Sequence, residues 1–104
     1  TSRLTFGVCS IDLDSRTVQV DGTPAELTPQ EYALLEVLVL NRNLALSREK
    51  LLELAWSFDF EGGTRTVDMH IQKLRKKLKL EDYIQTVYKY GYRLESNPVQ
   101  GGKP

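Results

Sequence analysis

The sequence contains very few residues that could build a metal or catalytic centre. Its 104 residues include one cysteine and one histidine, Cys9 and His70. A lone cysteine excludes an internal disulfide, and a lone histidine leaves little material for a zinc site or a serine–histidine–aspartate triad. The chain also lacks a glycine-rich phosphate loop and a recognisable nucleophile–base pair. We therefore expect a protein that is not an enzyme and that holds no metal and no cofactor.

Long hydrophobic runs are absent as well. No stretch approaches the roughly 20 apolar residues that a membrane-spanning helix needs, and no signal-peptide pattern opens the chain. With 40% hydrophobic and 27% charged residues, the composition is typical of one ordinary folded domain. The free cysteine fits a reducing compartment, so we expect a cytoplasmic protein without a membrane partner. Because the first residue is Thr1 and not methionine, we expect a fragment of a longer protein that extends on the N-terminal side.

Net charge is also lacking, but the charges are unevenly distributed along the chain. Residues 1–36 contain two basic and six acidic residues, whereas residues 64–79 contain six basic residues and one acidic residue. A polyanion responds to such a local concentration of positive charge and not to the average over the chain. The distribution therefore favours a nucleic acid as the partner of residues 64–79.

Residues 64–79, TRTVDMHIQKLRKKLK, predict an amphipathic helix. Its apolar residues recur with helical spacing on one side, at Val67, Ile71, Leu74 and Leu78. The opposite side collects polar and basic residues together with a methionine: Arg65, Thr66, Met69, His70, Lys73, Lys76 and Lys77. Such a face could reach base edges and phosphates in the major groove of DNA. The alternative interpretation is a charged surface that is only solvated.

The segment before residue 28 predicts a small antiparallel sheet. Residues 4–27 contain short runs of alternating apolar residues, separated by polar breaks. The pair Asp21-Gly22 is a strong hairpin signal, and the strand after it is expected from Pro24 to Leu27. We expect three or four strands in this sheet, and its acidic side chains make it a poor surface for nucleic acid.

Two helices are expected between this sheet and the basic helix. Thr28-Pro29-Gln30-Glu31 combines a capping box with a proline at the first helical position, so it predicts a helix start. This helix is expected to end near Asn41 and to turn four residues towards the core: Tyr32, Leu35, Leu38 and Val39. A short apolar link, Leu44-Ala45-Leu46, follows. Ser47 is then expected to cap the second helix.

The rest of the chain predicts a connecting loop, a hairpin and a tail. Residues 57–63 form the loop between the second helix and the basic helix, which gives a helix-turn-helix arrangement with a long turn. Residues 83–94 read as a β-hairpin. Residues 96–104 are expected to be a disordered tail, so that the folded domain covers residues 1–95.

Four motifs in this order resemble one known family. LTPQEYALLEVL, LSREKLLELAW, TRTVDMHIQKLRKKL and IQTVYKYGYRL strongly resemble the DNA-binding effector domain of OmpR/PhoB-type bacterial response regulators, over Leu4 to Leu94. The resemblance implies an α+β fold. This is a winged helix-turn-helix with an N-terminal four-stranded antiparallel sheet, three helices and a C-terminal β-hairpin wing. It also implies sequence-specific binding of double-stranded DNA in the control of transcription, with residues 64–79 in the major groove and residues 84–94 at the adjacent minor groove or backbone.

The resemblance also implies partners for the full-length protein. A receiver domain, phosphorylated by a sensor histidine kinase, would precede this domain and bring two copies onto direct-repeat half-sites of DNA. The loop between the second and third helices matches a family segment that touches RNA polymerase, which makes these residues candidate contacts: Phe58, Asp59, Phe60 and Glu61. The alternative for this loop is a connector whose aromatic side chains hold it to the core.

The resemblance, together with the charges and positions of Arg65, Arg75, Lys76 and Lys77 on the basic helix, gives candidate DNA contacts residue by residue. Positions that face the groove in the family are Thr66, Met69, His70 and Lys73. Candidates for the phosphate backbone or the wing contact are Trp56, Arg65, Arg75, Lys76, Lys77, Thr86, Tyr88 and Lys89. Lys73 stands where the family often has arginine, and Tyr88-Lys89 stands where Arg-Gly is common. Alternatives remain for several of these, namely a surface apolar role for Met69, a helix-flank role for His70, and solvation alone for Lys76 and Lys77.

Other functions stay open at this point. A winged helix that contacts only proteins is one alternative, although such a module needs no concentrated basic face. Another keeps DNA binding but places the domain in a membrane-tethered or multidomain activator.

Overall fold

The computed structural model describes residues 3–56 and 62–96, and these residues form three helices and two antiparallel sheets. The elements follow the chain as β1 Arg3–Phe6, β2 Cys9–Asp12, β3 Thr17–Val20, β4 Thr23–Pro24, α1 Pro29–Leu40, β5 Leu46–Ser47, α2 Arg48–Ala55, α3 Arg65–Leu78, β6 Ile84–Val87 and β7 Gly91–Leu94. This order confirms the expected fold of an N-terminal sheet, three helices and a C-terminal hairpin. Among the described helices, none combines the length and the apolar character that crossing a membrane requires.

The N-terminal sheet is a four-stranded antiparallel meander in the order β1-β2-β3-β4. The predicted Asp21-Gly22 turn is confirmed, and both residues have positive φ, 55° and 78°, as a tight two-residue hairpin turn requires. The prediction of a strand from Pro24 to Leu27 was wrong, because β4 ends at Pro24. One further backbone bond, from Ala25 N–H to the Val18 carbonyl, closes the ladder. After this bond the chain leaves the sheet and continues to Thr28, which caps the start of α1.

Side-chain caps define the starts of α1 and α2, as the sequence predicts. Thr28 Oγ1 accepts the Glu31 N–H at 3.1 Å, and Glu31 Oε1 accepts the Thr28 N–H at 3.0 Å, which completes the capping box. Ser47 Oγ accepts the Lys50 N–H at 3.0 Å and caps α2. The four residues predicted to face the core from α1 are all buried: Tyr32, Leu35, Leu38 and Val39.

The wing is a three-stranded sheet in the order β5-β7-β6, and not an isolated hairpin. The expected apolar link before α2 contributes β5, in which Leu46 pairs with Tyr92 and Ser47 pairs with Gly91. A two-residue strand is too short to show the alternation by which strands are recognised in a sequence. Gly91 is required at this crossing, since a Cβ built there would lie 1.9 Å from the Leu46 carbonyl oxygen.

The hydrogen bonds of Ser96 tie the end of the described chain to the turn after α1. The Ser96 N–H donates to Asn43 Oδ1 at 2.9 Å, and Asn43 Nδ2 donates to Ser96 Oγ at 2.7 Å. The disordered tail predicted from residue 96 thus begins with a residue held to the domain. The remainder of that tail, 97–104, lies outside the described residues.

Candidate nucleic-acid interface

The apolar stripe of α3 is buried along its whole length. Val67, Ile71, Leu74 and Leu78 have no solvent-exposed surface, which confirms the predicted amphipathic helix. These side chains join the core formed with residues of the other two helices and of both sheets. Because one side of α3 is fixed in this way, the opposite side must face outward.

Three cations on the outer side of α3 make no hydrogen bond and no ion pair within the described part of the chain. These are Arg65, Lys73 and Lys76, all of them exposed. Met69 lies among them with 55% of its surface exposed. A cluster of basic side chains around one apolar side chain can contact phosphates, base edges and a thymine methyl group. The structure therefore brings together four of the predicted contacts.

Gln72 also lies on this outer face and was missed in the sequence analysis. Its side chain is exposed and makes no hydrogen bond to another described residue, and it is adjacent to Lys73 in the sequence. At 100° per residue Gln72 projects about 130° from the centre of the buried stripe, further outward than Thr66 or His70. The helical periodicity alone would have found it. A glutamine can pair with adenine through both its amide oxygen and its amide nitrogen.

Three other cations in and after α3 have partners inside the domain. The Arg75 guanidinium donates to the Ile84 carbonyl oxygen from Nε at 3.1 Å and from Nη2 at 2.9 Å, and to Thr86 Oγ1 at 2.9 Å. Lys77 Nζ lies 2.8 Å from Glu31 Oε1, and Lys79 Nζ lies 3.3 Å from Asp21 Oδ2. Phosphate contact by Arg75 and Lys77 stays a prediction, and their charged ends are already engaged in holding the fold.

The pairing of Lys77 with Glu31 joins the end of α3 to the start of α1. The Glu31 carboxylate is almost fully buried. Burial by itself raises the pKa of Glu31, but the hydrogen bonds from Lys77 and from the Thr28 N–H, with the charges of Lys77 and Lys73, outweigh it. The pKa of Glu31 therefore lies below its ordinary value of 4.5, and the carboxylate is charged at neutral pH.

His70 and Trp56 form the flank of α3 that faces α2. Their rings meet edge to face, with centroids 5.1 Å apart, and Trp56 is only 8% exposed. His70 Nδ1 lies 2.9 Å from the Thr66 carbonyl oxygen one turn earlier. This arrangement agrees with the helix-flank alternative for His70. Thr66 is half-buried beside it.

The wing ends in an exposed aromatic tip between β6 and β7. Tyr88 is 82% exposed and Tyr90 is 50% exposed. Lys89 between them adopts a left-handed backbone with φ of 58°, and its ammonium lies 5.4 Å from the centre of the Tyr88 ring. Thr86 is also exposed, and its hydroxyl accepts the bond from Arg75. The tip therefore presents one cation and two aromatic rings to solvent.

Asp68 is the one acidic residue of α3, and it is turned towards other side chains. Its Oδ1 accepts hydrogen bonds from the Tyr92 hydroxyl at 2.6 Å and from Arg48 Nε at 2.8 Å. Burial raises the pKa of Asp68, but these two bonds and the charges of Arg48 and Arg65 lower it more, so the pKa lies below 3.8. The carboxylate stays charged but is compensated locally. Neither Arg48 nor Tyr92 was singled out from the sequence, because their partner lies 20 and 24 residues away.

The candidate contacts of the loop before α3 lie outside the described residues: Phe58, Asp59, Phe60 and Glu61.

No group of three or more histidine, cysteine, aspartate or glutamate side chains in the described ranges could hold a metal ion. Cys9 is fully buried, and burial raises the pKa of its thiol to about 11.

Comparison with known proteins gives the family of the chain. The family model for "Transcriptional regulatory protein, C terminal" matches residues 22–94. An uncharacterized transcriptional regulatory protein of Bacillus subtilis, YclJ, is 45% identical over 91 residues, a match that covers 85% of this chain and 40% of YclJ. The chain spans about 40% of the length of the curated relatives it matches.

Solved structures agree with this assignment. The response regulator DrrB of Thermotoga maritima, an OmpR/PhoB homologue, superposes with a TM-score of 0.81 at 30% identity and covers 91% of this chain and 45% of DrrB. The DNA-binding domain of RstA from Klebsiella pneumoniae, in complex with the RstA box, gives a TM-score of 0.77 at 28% identity, covering 92% of this chain and 99% of that domain. With the winged fold and the basic outer face of α3, these matches establish that the chain belongs to the family of C-terminal domains of transcriptional regulatory proteins, in its OmpR/PhoB-type winged-helix form.

Proposed function

We propose that this domain binds double-stranded DNA in a sequence-specific manner, with the outer face of α3 in the major groove. The observation that carries the proposal is a group of three outward cations, Arg65, Lys73 and Lys76, on the side opposite a fully buried stripe. None of them has a hydrogen-bond or ion-pair partner among residues 3–56 and 62–96. Exposed cations that make no direct hydrogen bond or ion pair with another described residue are available for phosphates and guanine edges. Relatives of this chain bind DNA through the same fold, as the RstA complex illustrates.

Within α3 the contacts divide by chemistry. Lys73 and Gln72 are proposed to read base edges, Lys73 on guanine and Gln72 on adenine, while Met69 packs against a thymine methyl group. Arg65 and Lys76 contact phosphates on either side of the groove, because they lie at opposite ends of the exposed face. A lysine offers a single ammonium where an arginine would offer two parallel donors, so Lys73 discriminates guanine less sharply than an arginine would.

The wing tip is proposed to contact DNA beside the groove that α3 enters. Lys89 is the cation at this tip, and the exposed Tyr88 ring can pack against a sugar. Trp56, His70 and Thr66 line the opposite flank of α3. The half-buried Thr66 and His70 and the exposed edge of the mostly buried Trp56 are proposed to contact the DNA backbone. Lys77, Arg75 and Thr86 have intramolecular partners and take a secondary part in such contacts.

For the whole protein we propose a two-component response regulator. A receiver domain, phosphorylated by a sensor histidine kinase, would lie upstream, and its dimerisation would bring two such domains onto direct-repeat half-sites. The support is the family itself and the share of the relatives that the chain covers, about 40%. We also propose that it acts in the cytoplasm without catalysis, and that the loop including residues 58–61 contacts RNA polymerase.

Selection of bound sites from a random pool of duplex DNA, at two salt concentrations, tests this function. We expect one motif to be enriched at both concentrations, with tighter selection at the higher concentration because nonspecific phosphate contacts weaken with salt. Each half-site of the motif should fit one α3 in the major groove, and direct repeats should appear with a spacing close to one helical turn. If no motif is enriched at either concentration, sequence-specific binding is refuted and a protein-contact role is favoured.

A further inference from the structure

Five residues join α3, the wing and the start of α2 into one connected group. We call this group the helix–wing clamp: Arg48, Asp68, Arg75, Thr86 and Tyr92. Asp68 and Arg75 lie on the same side of α3, seven residues and therefore about 10.5 Å apart along its axis. Each is bound to a different strand of the wing, because Asp68 accepts from Tyr92 on β7 and Arg75 donates to Thr86 on β6.

Tyr92 is the centre of this clamp. Its ring is buried, and the guanidinium carbons of Arg48 and Arg75 lie 5.6 Å and 5.5 Å from its centroid. Its hydroxyl donates to Asp68, to which Arg48 also donates. Two cation–π contacts and one charge-assisted hydrogen bond therefore meet at Tyr92, and Asp68 accepts a second charge-assisted bond from Arg48. The wing is therefore attached to α3 at two points along the helix, at Asp68 and at Arg75, and these two attachments fix its orientation.

We propose that the helix–wing clamp positions the wing tip relative to α3. A DNA duplex can then contact α3 and the wing tip together, because the hairpin is already held in place before the duplex binds. Arg75 and Tyr92 are then positioning residues that act on DNA through Lys89 at the tip. This inference rests on the proposed DNA binding. It assigns Arg75 mainly to the wing rather than to phosphate, because two of its guanidinium nitrogens already donate to Ile84 and Thr86. Groups held in their bound arrangement before binding lose less conformational freedom on association.

The test measures how much Lys89 contributes when the clamp is intact and when it is weakened. Lys89→Ala is combined with Tyr92→Phe, which removes only the hydroxyl, and separately with Arg75→Lys, which keeps the charge but loses the forked pair of donors. Tyr83→Phe is the matched control. The Tyr83 hydroxyl makes no hydrogen bond within the described residues, and its ring packs against Phe6 of the N-terminal sheet. Binding to a fluorescent duplex carrying the selected site gives Kd for each protein.

We expect Lys89→Ala to weaken binding about tenfold in the wild-type and Tyr83→Phe backgrounds. In the Tyr92→Phe and Arg75→Lys backgrounds the same change should weaken binding less than about twofold, because a loosened wing no longer holds the tip on the duplex. Circular dichroism checks that each variant is folded. If Tyr92→Phe does not fold, Arg75→Lys decides the question, since its side chain is partly exposed.

The results separate this inference from the proposed function. An equal loss from Lys89→Ala in all four backgrounds overturns the clamp but leaves DNA binding intact. If Lys89→Ala does not weaken DNA binding even in the wild-type background, the clamp proposal is also overturned, because the wing tip then makes no contact with DNA that the clamp could position. If Arg75→Lys binds like the wild type and keeps the full effect of Lys89→Ala, Arg75 acts only as a cation and the clamp is overturned. A wild-type domain that selects no site refutes the proposed function itself.

Discussion

Lys73 and Lys77 lie one helical turn apart on α3, yet the structure predicts opposite consequences when each is replaced by alanine. Lys73 is exposed and makes no contact to another charged group within ion-pair distance in the described residues. Lys77 Nζ lies 2.8 Å from Oε1 of the buried Glu31 carboxylate. We therefore expect Lys73→Ala to weaken DNA binding with little change in stability. Lys77→Ala should lower stability with little change in sequence preference.

The magnitudes follow from the surroundings of the two side chains. Loss of one base contact costs about 1–3 kcal/mol, which weakens binding about fivefold to 150-fold. Loss of a surface side chain without partners changes the free energy of unfolding by less than about 0.5 kcal/mol. Glu31 is buried but Lys77 is 42% exposed, so their pair lies between the small value of an exposed ion pair and the several kcal/mol of a buried one. We therefore expect Lys77→Ala to lower the free energy of unfolding by about 1–2 kcal/mol.

Two measurements on the same pair of variants check this. Thermal unfolding should show Lys77→Ala with a lower midpoint, by roughly 4–8 °C for each kcal/mol in a domain of this size, and Lys73→Ala close to the wild type. Titration of the selected site and of a scrambled duplex should show that Lys73→Ala reduces the difference in affinity between them. If Lys77→Ala instead leaves the unfolding midpoint unchanged and reduces the difference in affinity between the two duplexes, Lys77 contacts bases despite its ion pair with Glu31, and this prediction is refuted.

Three further outcomes follow from the same structure. Gln72→Ala should relax the preference for adenine at one position of the selected motif by about 1–3 kcal/mol, seen by competition with single-base variants of the site; an unchanged preference would remove Gln72 from the base contacts. The pKa values of Glu31 and Asp68 lie below their ordinary values of 4.5 and 3.8, so their contribution to stability is present above those values and is lost as pH falls through the lower folded values. Urea unfolding between pH 7 and pH 3 should therefore show a decline that Glu31→Gln makes shallower, whereas an identical pH dependence in the variant would contradict the shift. Gly91→Ala should disrupt folding, because the added Cβ would meet a backbone carbonyl oxygen at 1.9 Å; a native-like unfolding midpoint would show that β5 and β7 can separate at no cost.

The helix starts show how far local sequence carries the prediction. The capping box of Thr28 and Glu31 and the cap at Ser47 are both present, and the stripe from Val67 to Leu78 is buried as its spacing requires. These features depend on residues three or four apart, so the sequence is sufficient to find them. The outward position of Gln72 belongs to the same class, since it follows from the period of the helix.

The partners of the basic side chains were decided only by the tertiary structure. Lys77 meets Glu31 across 46 residues, and Arg48 meets Asp68 across 20. The helical period places Lys77 nearer the buried stripe than Lys73, but it does not show that Lys77 meets an acidic partner, because both are lysines on the polar side of one helix. Only the packing of α3 against α1 and against the wing determines which cations stabilise the fold and which remain for DNA. The sequence alone thus determined that α3 is a basic amphipathic helix. The packing, which joins residues distant in the chain, determined which of its charges have partners among the described residues.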